Sequence, residues 1–512
     1  MSFRRFIRCA SAVVIGVISA SAGEWFVSPG GDDAADGQSE VRAWKTLARV
    51  NRHVSQHGLH AGDVIRLRGG AVFEGSLVVD RAGGGREESP ARITSFGRGR
   101  AMIRPGADTG VLIRETGWIT VSGLNLKAGK NGQGDGIRCD RILETPSRIS
   151  GITLKDCDAE GFAWHGIMVD AAQHRMGFDR VRIENCSTRG NRYAGIMVYG
   201  GNQIGRTERP HRRVEIERCV ASRNPGDPDQ LGQHSGSGIL VDGVDGGVVR
   251  ECVAFENGAE CRTERGGPVG IWAHASRGIV IERCESYRNW SSLRDGGGFD
   301  LDAGCEDCVL RWNYSHENHG AGFLVYTYTG AAYSDRGCRV YGNLSWYDGA
   351  RGSGYAGIQI GSETGCRITD LLVANNTVIA PPGSVGALRI SGQSVGGLVC
   401  SNLVVAAPHG VLAAISGYQH QLRFVGNRYW RADGVPVFLI DTQWPIRALA
   451  DWRNSTGPDH RFTAESESFA DPGFQPLPLS PPKRSRSRDQ KPFWPKLDAR
   501  AAAGLGAPTQ LP

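Results

Sequence analysis

Two carboxyl side chains stand two residues apart at Asp300 and Asp302, inside a glycine-rich segment that spans residues 295–304. In a β-strand, alternate side chains project from one face about 6.5–7 Å apart. Glycoside hydrolysis requires two carboxyl groups beside the scissile bond, about 6.5–9.5 Å apart for inversion of the sugar and about 5–5.5 Å apart for retention. The pair therefore predicts an acid and a base for this reaction, at a spacing closer to the inverting class.

Other polar and aromatic residues are predicted to surround this pair, because a glycine followed by alternating apolar residues recurs along the chain. The copies are 24–43 residues apart and begin at Gly136, Gly166, Gly195, Gly238, Gly270, Gly298, Gly322 and Gly357. If their second and fourth residues face inward, the third and fifth face outward and stack on their counterparts about 4.8 Å away. The outward patch around the two aspartates then contains Asp242, Trp272, His274 and Tyr326, with Tyr199 and Gln359 at the same positions in other copies.

Carboxylates and an imidazole beside aromatic faces suit a sugar-binding cleft, since aromatic rings pack against pyranose rings and the polar groups transfer protons. We expect Asp300 and Asp302 to act as acid and base, and crowding among the acids to raise at least one pKa. The roles expected of the other residues are assistance by Asp242 or Glu317, orientation by His274, stacking by Trp272, Tyr199 and Tyr326, and substrate contact by Arg294, Gln359 and His319.

Simpler interpretations compete for several of these residues. Asp300 and Asp302 would also suit a bound Ca²⁺, the one cofactor that the sequence leaves open. Glu317 lies in a predicted turn, where acidic residues commonly bond to the backbone. His319 could do no more than line the edge of the groove.

A second repeated strand, of the type Val-x-Ile-x-x-Cys, indicates how the interior is built. Its last position recurs at intervals of 29–33 residues and forms the predicted column Asn125, Cys157, Cys186, Cys219, Cys252, Cys284, Asn313, Asn343 and Asn376. This interval is typical of one coil of a solenoid with three short parallel strands. Stacked asparagines bond along the axis and buried cysteine replaces them as a small hydrophobe. We favour this interpretation over a disulfide framework, although one or two bridges among the remaining cysteines stay open.

These repeats make the chain resemble right-handed parallel β-helix proteins of the pectate-lyase-like superfamily. Residues 25–32 with 43–47 resemble the opening strand and cap helix of that family, 61–70 its first coil and 469–476 its closing segment. Residues 295–304 and 313–322 resemble an element found in exported β-helix proteins believed to process carbohydrates. The resemblance implies an all-β solenoid with an N-terminal cap helix and an irregular C-terminal tail. It also implies activity on polysaccharides, as a lyase, hydrolase or epimerase, or a non-enzymatic surface role.

The two ends of the chain differ in composition from the repeats. Arg4, Arg5 and Arg8 precede a short apolar stretch and small residues, as in a signal peptide over residues 1–22, so we expect a secreted or periplasmic protein. The remaining boundaries are predicted as cap and first coils over 23–110, β-helix over 111–475 and a proline-rich basic tail over 476–512. A net charge of +6 over 512 residues, with no basic stripe, argues against a nucleic-acid partner. No later segment is long and apolar enough to cross a membrane, and we expect a monomer.

Three functions remain open at this stage. The first is the glycosidase described above. The second is a uronate lyase acting by β-elimination, but no lysine lies between residues 156 and 482, so Arg138, Arg294 or His274 would have to serve. The third is a surface protein that binds glycans without turnover.

Overall fold

The computed structural model describes residues 22–470, apart from 81–82, 130–131, 172–175, 202–207, 334, 350–353, 393–394, 418, 420, 442–443 and 456–461. Residues 1–21 of the predicted signal peptide and the whole predicted tail lie outside the described residues. Within the described ranges, no helix is long and apolar enough to span a membrane.

The described strands, numbered in chain order, form three sheets that the chain visits in turn, so that each circuit adds one strand to each sheet. The first sheet has 16 strands: β1 (Glu24–Val27), β2 (Val64–Arg68), β5 (Ala91–Phe96), β8 (Ile119–Ser122), β11 (Ile149–Lys155), β14 (Phe178–Glu184), β17 (His211–Glu217), β20 (Val244–Arg250), β23 (Arg277–Glu282), β26 (Val309–Arg311), β29 (Asp335–Arg336), β30 (Arg339–Tyr341), β33 (Ile368–Ala374), β36 (Val395–Cys400), β39 (Leu422–Val425) and β43 (Phe462–Glu465).

The second sheet carries the third and fifth positions of the glycine repeat. Its 14 described strands are β4 (Leu77–Asp80), β7 (Val111–Arg114), β10 (Ile137–Asp140), β13 (His165–Asp170), β16 (Ala194–Tyr199), β19 (Ser237–Asp242), β22 (Val269–His274), β25 (Gly297–Leu301), β28 (Phe323–Thr327), β32 (Ile358–Ser362), β35 (Leu388–Ser391), β38 (Ala413–Ile415), β41 (Phe438–Ile440) and β42 (Trp444–Ile446). Only β42 among them pairs antiparallel.

The third sheet completes each coil. Its 14 described strands are β3 (Val72–Glu74), β6 (Ala101–Arg104), β9 (Leu124–Lys127), β12 (Asp158–Glu160), β15 (Ser187–Arg189), β18 (Val220–Ser222), β21 (Val253–Phe255), β24 (Glu285–Tyr287), β27 (Tyr314–His316), β31 (Leu344–Trp346), β34 (Thr377–Ala380), β37 (Leu403–Ala406), β40 (Arg428–Arg431) and β44 (Ser468–Phe469). The parallel pairing of all three sheets confirms the predicted β-helix solenoid.

Two helices occur in the described residues, α1 (Leu47–His57) and α2 (Leu449–Asn454). The Thr46 hydroxyl accepts a hydrogen bond from the backbone N–H of Arg49 and so caps α1. Leu47, Val50 and Val54 are buried against the first coils. These contacts confirm the cap helix that the sequence predicts.

The cysteine and asparagine column runs through the interior, with one correction. Cys157 to Asn376 occupy equivalent positions on successive coils, and in the described chain these cysteines are free thiols. The prediction for Asn125 is wrong by one residue, because Asn125 pairs with Asp158 and Leu124 takes the position beside Cys157. The interval of 32 residues fits the repeat equally well for a one-residue offset, so spacing alone did not reveal it.

Candidate active site

A cavity of about 1100 Å³ lies on the outer face of the second sheet and collects most of the predicted site. Asp242 pairs in register with His274 on the next strand, and Trp272 pairs with Asp300. The residues from the predicted site that line the cavity are Asp242, Trp272, His274, Arg294, Asp300, Asp302, Tyr199, Tyr326 and Gln359.

The floor of the cavity is more enclosed than the sequence predicts. The third-position side chains point away from the core, as expected, but Met168, Met197, Leu240 and Trp272 are buried together in a small apolar cluster. Loops between the sheets account for this, since Gln233, His234, residues 265–267, 293–295 and 354–355 also line the cavity. Electrostatic interactions at the floor are therefore stronger than on an open face.

Asp300 lies in the middle of β25 with a side chain almost closed to solvent; the residue is 4% exposed. Its Oδ1 atom has no hydrogen-bond partner among the described residues. Burial, followed by the charges of Asp302 and other nearby aspartates, raises the pKa of Asp300 well above its ordinary value. Asp300 is therefore protonated at neutral pH and can donate a proton.

Asp302 follows the end of β25, and its backbone N–H donates to the carbonyl oxygen of Ala273 at 2.9 Å. Burial raises the pKa of Asp302 to about 6, and the positive charge of His274 opposes that rise. Asp302 is therefore largely ionised at neutral pH, while Asp300 is not. Two aspartates two residues apart thus take opposite protonation states.

His274 is held between an acid and a phenol. Its Nδ1 lies 2.7 Å from Oδ1 of Asp242, and its Nε2 lies 2.9 Å from the hydroxyl of Tyr328. Burial alone would lower the pKa of His274, but the hydrogen bond and charge of Asp242 outweigh it and raise that pKa to about 9. The imidazole is therefore a cation at neutral pH. The other carboxylate oxygen of Asp242 accepts from the backbone N–H of Gly200 at 2.9 Å.

Asp335 supports the backbone turn that follows Asp302. Its Oδ1 accepts from the N–H groups of Gly304 and Cys305 at 2.9 and 3.2 Å. Burial raises the pKa of Asp335 to about 7, against the lowering effect of these hydrogen bonds and one from Thr327. Asp335 thereby fixes where Asp302 leaves the sheet.

A second wall of the cavity comes from the turn at residues 293–296. Oδ1 of Asp295 accepts from the hydroxyl of Tyr355 at 2.7 Å, and Oδ2 accepts from the N–H of Gly267 at 2.6 Å. Asp295 therefore ties three loops together. Arg294, next to it, is exposed at the rim.

Glu317 and His319 do not join the residues that line the cavity, which corrects their predicted place in the site. Glu317 pairs with Arg288 and His316, and its hydrogen bond to His316 lowers the pKa of its carboxyl. The ring of His319 packs on Trp290 at 4.1 Å between centroids. Both follow β27 in the third sheet, so their closeness in sequence to Asp300 does not carry over to space.

Sequence reasoning missed Tyr328, Asp335 and Tyr355. Tyr328 lies two residues beyond Tyr326, so extending the alternation by one step would have found it. Asp335 and Tyr355 lie outside the repeats and gave no periodic signal. In the part of the chain that the structure describes, no group of three or more histidine, cysteine or acidic side chains is arranged to hold a metal ion.

A family model described as the right handed beta helix region matches residues 142–344 and 233–378. This match agrees with the parallel coils and confirms the resemblance to right-handed parallel β-helix proteins.

Comparison with curated proteins shows similarity to a lacto-N-biosidase of Bifidobacterium longum subsp. longum, at 21% identity over 388 residues. The match covers 58% of this chain and 24% of that protein, so the chain spans about a quarter of the length of the relative. Among solved structures, a GH136 lacto-N-biosidase from Eubacterium ramulus has 18% identity and a TM-score of 0.48, covering 87% of this chain and 68% of the other. A PL6 family polysaccharide lyase from Pseudopedobacter saltans has 12% identity and a TM-score of 0.44, covering 84% and 93%.

Proposed function

We propose that this right-handed parallel β-helix protein is a glycoside hydrolase that acts on a polysaccharide or oligosaccharide. The observation that carries the proposal is the pair of aspartates in opposite protonation states within one cavity. Asp300 is buried and keeps its proton, whereas the cation at His274 favours the ionised form of Asp302. The similarity to a lacto-N-biosidase supports the same reaction class.

The reaction would use each group in the state that it holds at rest. Asp300 donates its proton to the glycosidic oxygen as the bond from that oxygen to the anomeric carbon breaks. Asp302 accepts a proton from a water molecule whose oxygen bonds to the anomeric carbon. Both carboxyls then exchange protons with solvent and return to their starting states. Trp272, Tyr199 and Tyr326 line the cavity beside them and offer ring faces to the sugar.

The lyase alternative is less well supported by this geometry. A β-elimination needs an unprotonated base, but Asp242 holds His274 as a cation at neutral pH. The guanidinium of Arg138 already contacts Asp135, Asp140 and Asp170. Of the three candidates from the sequence, Arg294 alone lines the cavity without an ion pair among the described residues. Release of unsaturated uronates from pectin or alginate, followed by ultraviolet absorbance, would establish elimination instead.

The test is to replace each carboxyl separately and to assay release of reducing ends from a broad glycan panel. We expect Asp300→Asn and Asp302→Asn each to lose about a hundredfold or more in kcat, because each removes one proton-transfer group. Glu317→Gln is the matched control, since that carboxyl lies outside the cavity, and it should retain activity. Full activity in both aspartate variants would refute the proposal, and tight glycan binding without turnover by the unaltered protein would favour the surface-binding alternative.

Export and the monomeric state remain proposals that rest on the sequence. The N-terminal residue of the protein recovered from outside the cytoplasm would test the first. We expect it to be Gly23, which follows the predicted signal peptide.

A further inference from the structure

The cavity continues beyond the aspartate pair toward the N-terminal coils, where a second group of polar and aromatic side chains lines it. Trp164, which precedes β13, is 45% exposed although it is one of the largest apolar side chains in the chain. Its ring lies 5.6 Å from that of Tyr193 on the next coil. An exposed tryptophan braced by a second aromatic ring is suited to pack against a flat apolar face.

Polar groups converge beside these rings. Nδ1 of His165 lies 2.7 Å from Oδ1 of Asp135, which also accepts from the backbone N–H of His165 at 2.9 Å. The Nε2 atom of His165 has no hydrogen-bond partner among the described residues, and the residue is only 5% exposed. A buried ring nitrogen without a partner is unfavourable unless something binds to it.

Arg138 organises the same region. Its guanidinium contacts the carboxylates of Asp135 and Asp140 at 3.0 and 3.3 Å and also contacts Asp170. Arg138, His165 and Asp170 all line the cavity together with Trp164 and Tyr193. Donors and acceptors fixed beside an aromatic platform match the hydroxyl groups and apolar faces of a sugar ring.

The separation of the two regions follows from the coil spacing. Trp164 leads into β13 and Asp300 lies in β25, four strands further along the second sheet. At about 4.8 Å for each strand, the regions are about 19 Å apart along the axis. A monosaccharide at Asp300 cannot reach Trp164, whereas an oligosaccharide lying along the sheet can.

We propose that Trp164, Tyr193, His165 and Arg138 form a distal subsite that binds a sugar ring of an oligosaccharide whose scissile bond lies at Asp300 and Asp302. This inference rests on the proposed hydrolase function for the reaction, but the subsite itself is a binding site. It makes the protein selective for oligosaccharides long enough to span the cavity. Chain length therefore affects affinity through residues four coils away from the reacting bond.

The experiment compares the unaltered protein with Trp164→Ala on two substrate sets, p-nitrophenyl monosaccharides and fluorescently labelled oligosaccharides from disaccharide to hexasaccharide. We expect Trp164→Ala to lower kcat/KM on the longest hydrolysed oligosaccharides about tenfold, through KM, and to leave p-nitrophenyl substrates unchanged. His165→Gln, which keeps a donor for Asp135, should show the same dependence on chain length. Trp312→Ala, an exposed tryptophan outside the residues that line the cavity, is the matched control.

Equilibrium binding of the same labelled oligosaccharides separates this inference from the hydrolase proposal. If nothing is hydrolysed but Trp164→Ala weakens binding of the longer oligosaccharides, the subsite stands and the hydrolase proposal fails. If hydrolysis occurs and Trp164→Ala and His165→Gln match the unaltered protein at every length, the subsite is wrong and the hydrolase proposal stands. Failure of every oligosaccharide to bind the unaltered protein overturns the subsite as well.

Discussion

His274 sets the charge on the candidate base, although it is not itself placed to transfer a proton. Its cationic state depends on Asp242, which in turn is fixed by the N–H of Gly200. A buried carboxylate beside a cation keeps a lower pKa than the same carboxylate alone. The arrangement therefore divides labour among acidic groups that would otherwise titrate together.

This division predicts the acidic limb of the pH profile. Asp302 must be ionised to act as base, so activity should rise as the pH increases through about 6. His274→Gln removes the positive charge that opposes the effect of burial at Asp302, so the limb should move to higher pH. We expect kcat/KM near pH 6 to fall by roughly tenfold and to recover in part at pH 8. Kinetics from pH 4 to 9 measure this, with thermal melting to show that the variant is folded.

Tyr328→Phe provides the comparison for that measurement. It removes the hydroxyl that contacts Nε2 of His274 but leaves the ion pair with Asp242 in place. Its acidic limb should lie close to that of the unaltered protein. An unchanged limb in His274→Gln would show that the imidazole does not control Asp302.

A buried titratable group also predicts how stability depends on pH. The folded-state pKa of Asp335 is raised to about 7, above its ordinary value, so the folded protein holds a proton there that the unfolded chain releases. Stability from this group is present below the unfolded pKa and is lost as the pH rises through about 7. Asp335→Asn keeps an oxygen for the N–H groups of Gly304 and Cys305 and removes the charge. Denaturant unfolding should show a smaller loss of stability between pH 5 and 8 in the variant, and an equal loss in both proteins would contradict the assignment.

At the scale of elements, two ladders of buried amides hold the coils in register. The first is the predicted column, which continues past Asn376 through Asn402 and Asn427 to Glu467. The second runs beside it and consists of Asn191, Asn224, Asn257, Asn289, Asn318 and Asp348. Each side chain satisfies the N–H of its neighbour, which a solenoid turn otherwise leaves unpaired.

The second ladder reaches the candidate site through Asn289, which precedes the loop leading into β25. Its Oδ1 accepts from the backbone N–H and the side-chain amide of Asn257 at 3.2 and 2.9 Å. Asn289→Ala leaves both donors buried without a partner, so we expect a loss of roughly 2–4 kcal/mol in the free energy of unfolding. Asn125→Ala is the control, because Oδ1 of Asn125 has no partner in the described chain and its loss should be smaller. Urea denaturation measures both, and equal losses would show that the ladder bonds contribute little.

Periodic residues could be predicted from the sequence because the solenoid converts sequence intervals into contacts. Asp242 beside His274 and Trp272 beside Asp300 follow directly from the recurring glycine. The residues that were missed or misplaced lie where the interval carries no information. Asp335 and Tyr355 are in loops, and Glu317 belongs to a different sheet from the aspartates that it resembles in chemistry. The second ladder shares the 29–33-residue interval and could have been recognised by the same search.

For the whole molecule, contacts between neighbouring coils dominate, so damage at one end should stay local. Each described strand pairs mainly with the strand one coil away. In such a fold, stability is approximately a sum over coils and their interfaces rather than one shared core. The candidate site, on strands from β16 to β32, is therefore separated energetically from the last coils.

Paired core substitutions test this separation. Phe438 in β41 stacks on Trp452 at 4.5 Å, and Phe299 in β25 stacks on Phe323 at 5.1 Å. Replacement of either by alanine should cost about 3–5 kcal/mol locally. We expect Phe438→Ala to increase hydrogen exchange in strands after β35 and to leave exchange near Asp300 and glycan hydrolysis unchanged. Phe299→Ala should increase exchange around β25 and abolish hydrolysis, because Phe299 and Asp300 are adjacent on one strand. If both variants unfold in a single transition with the same loss of activity, the coils are coupled over the full length and the site depends on every one of them.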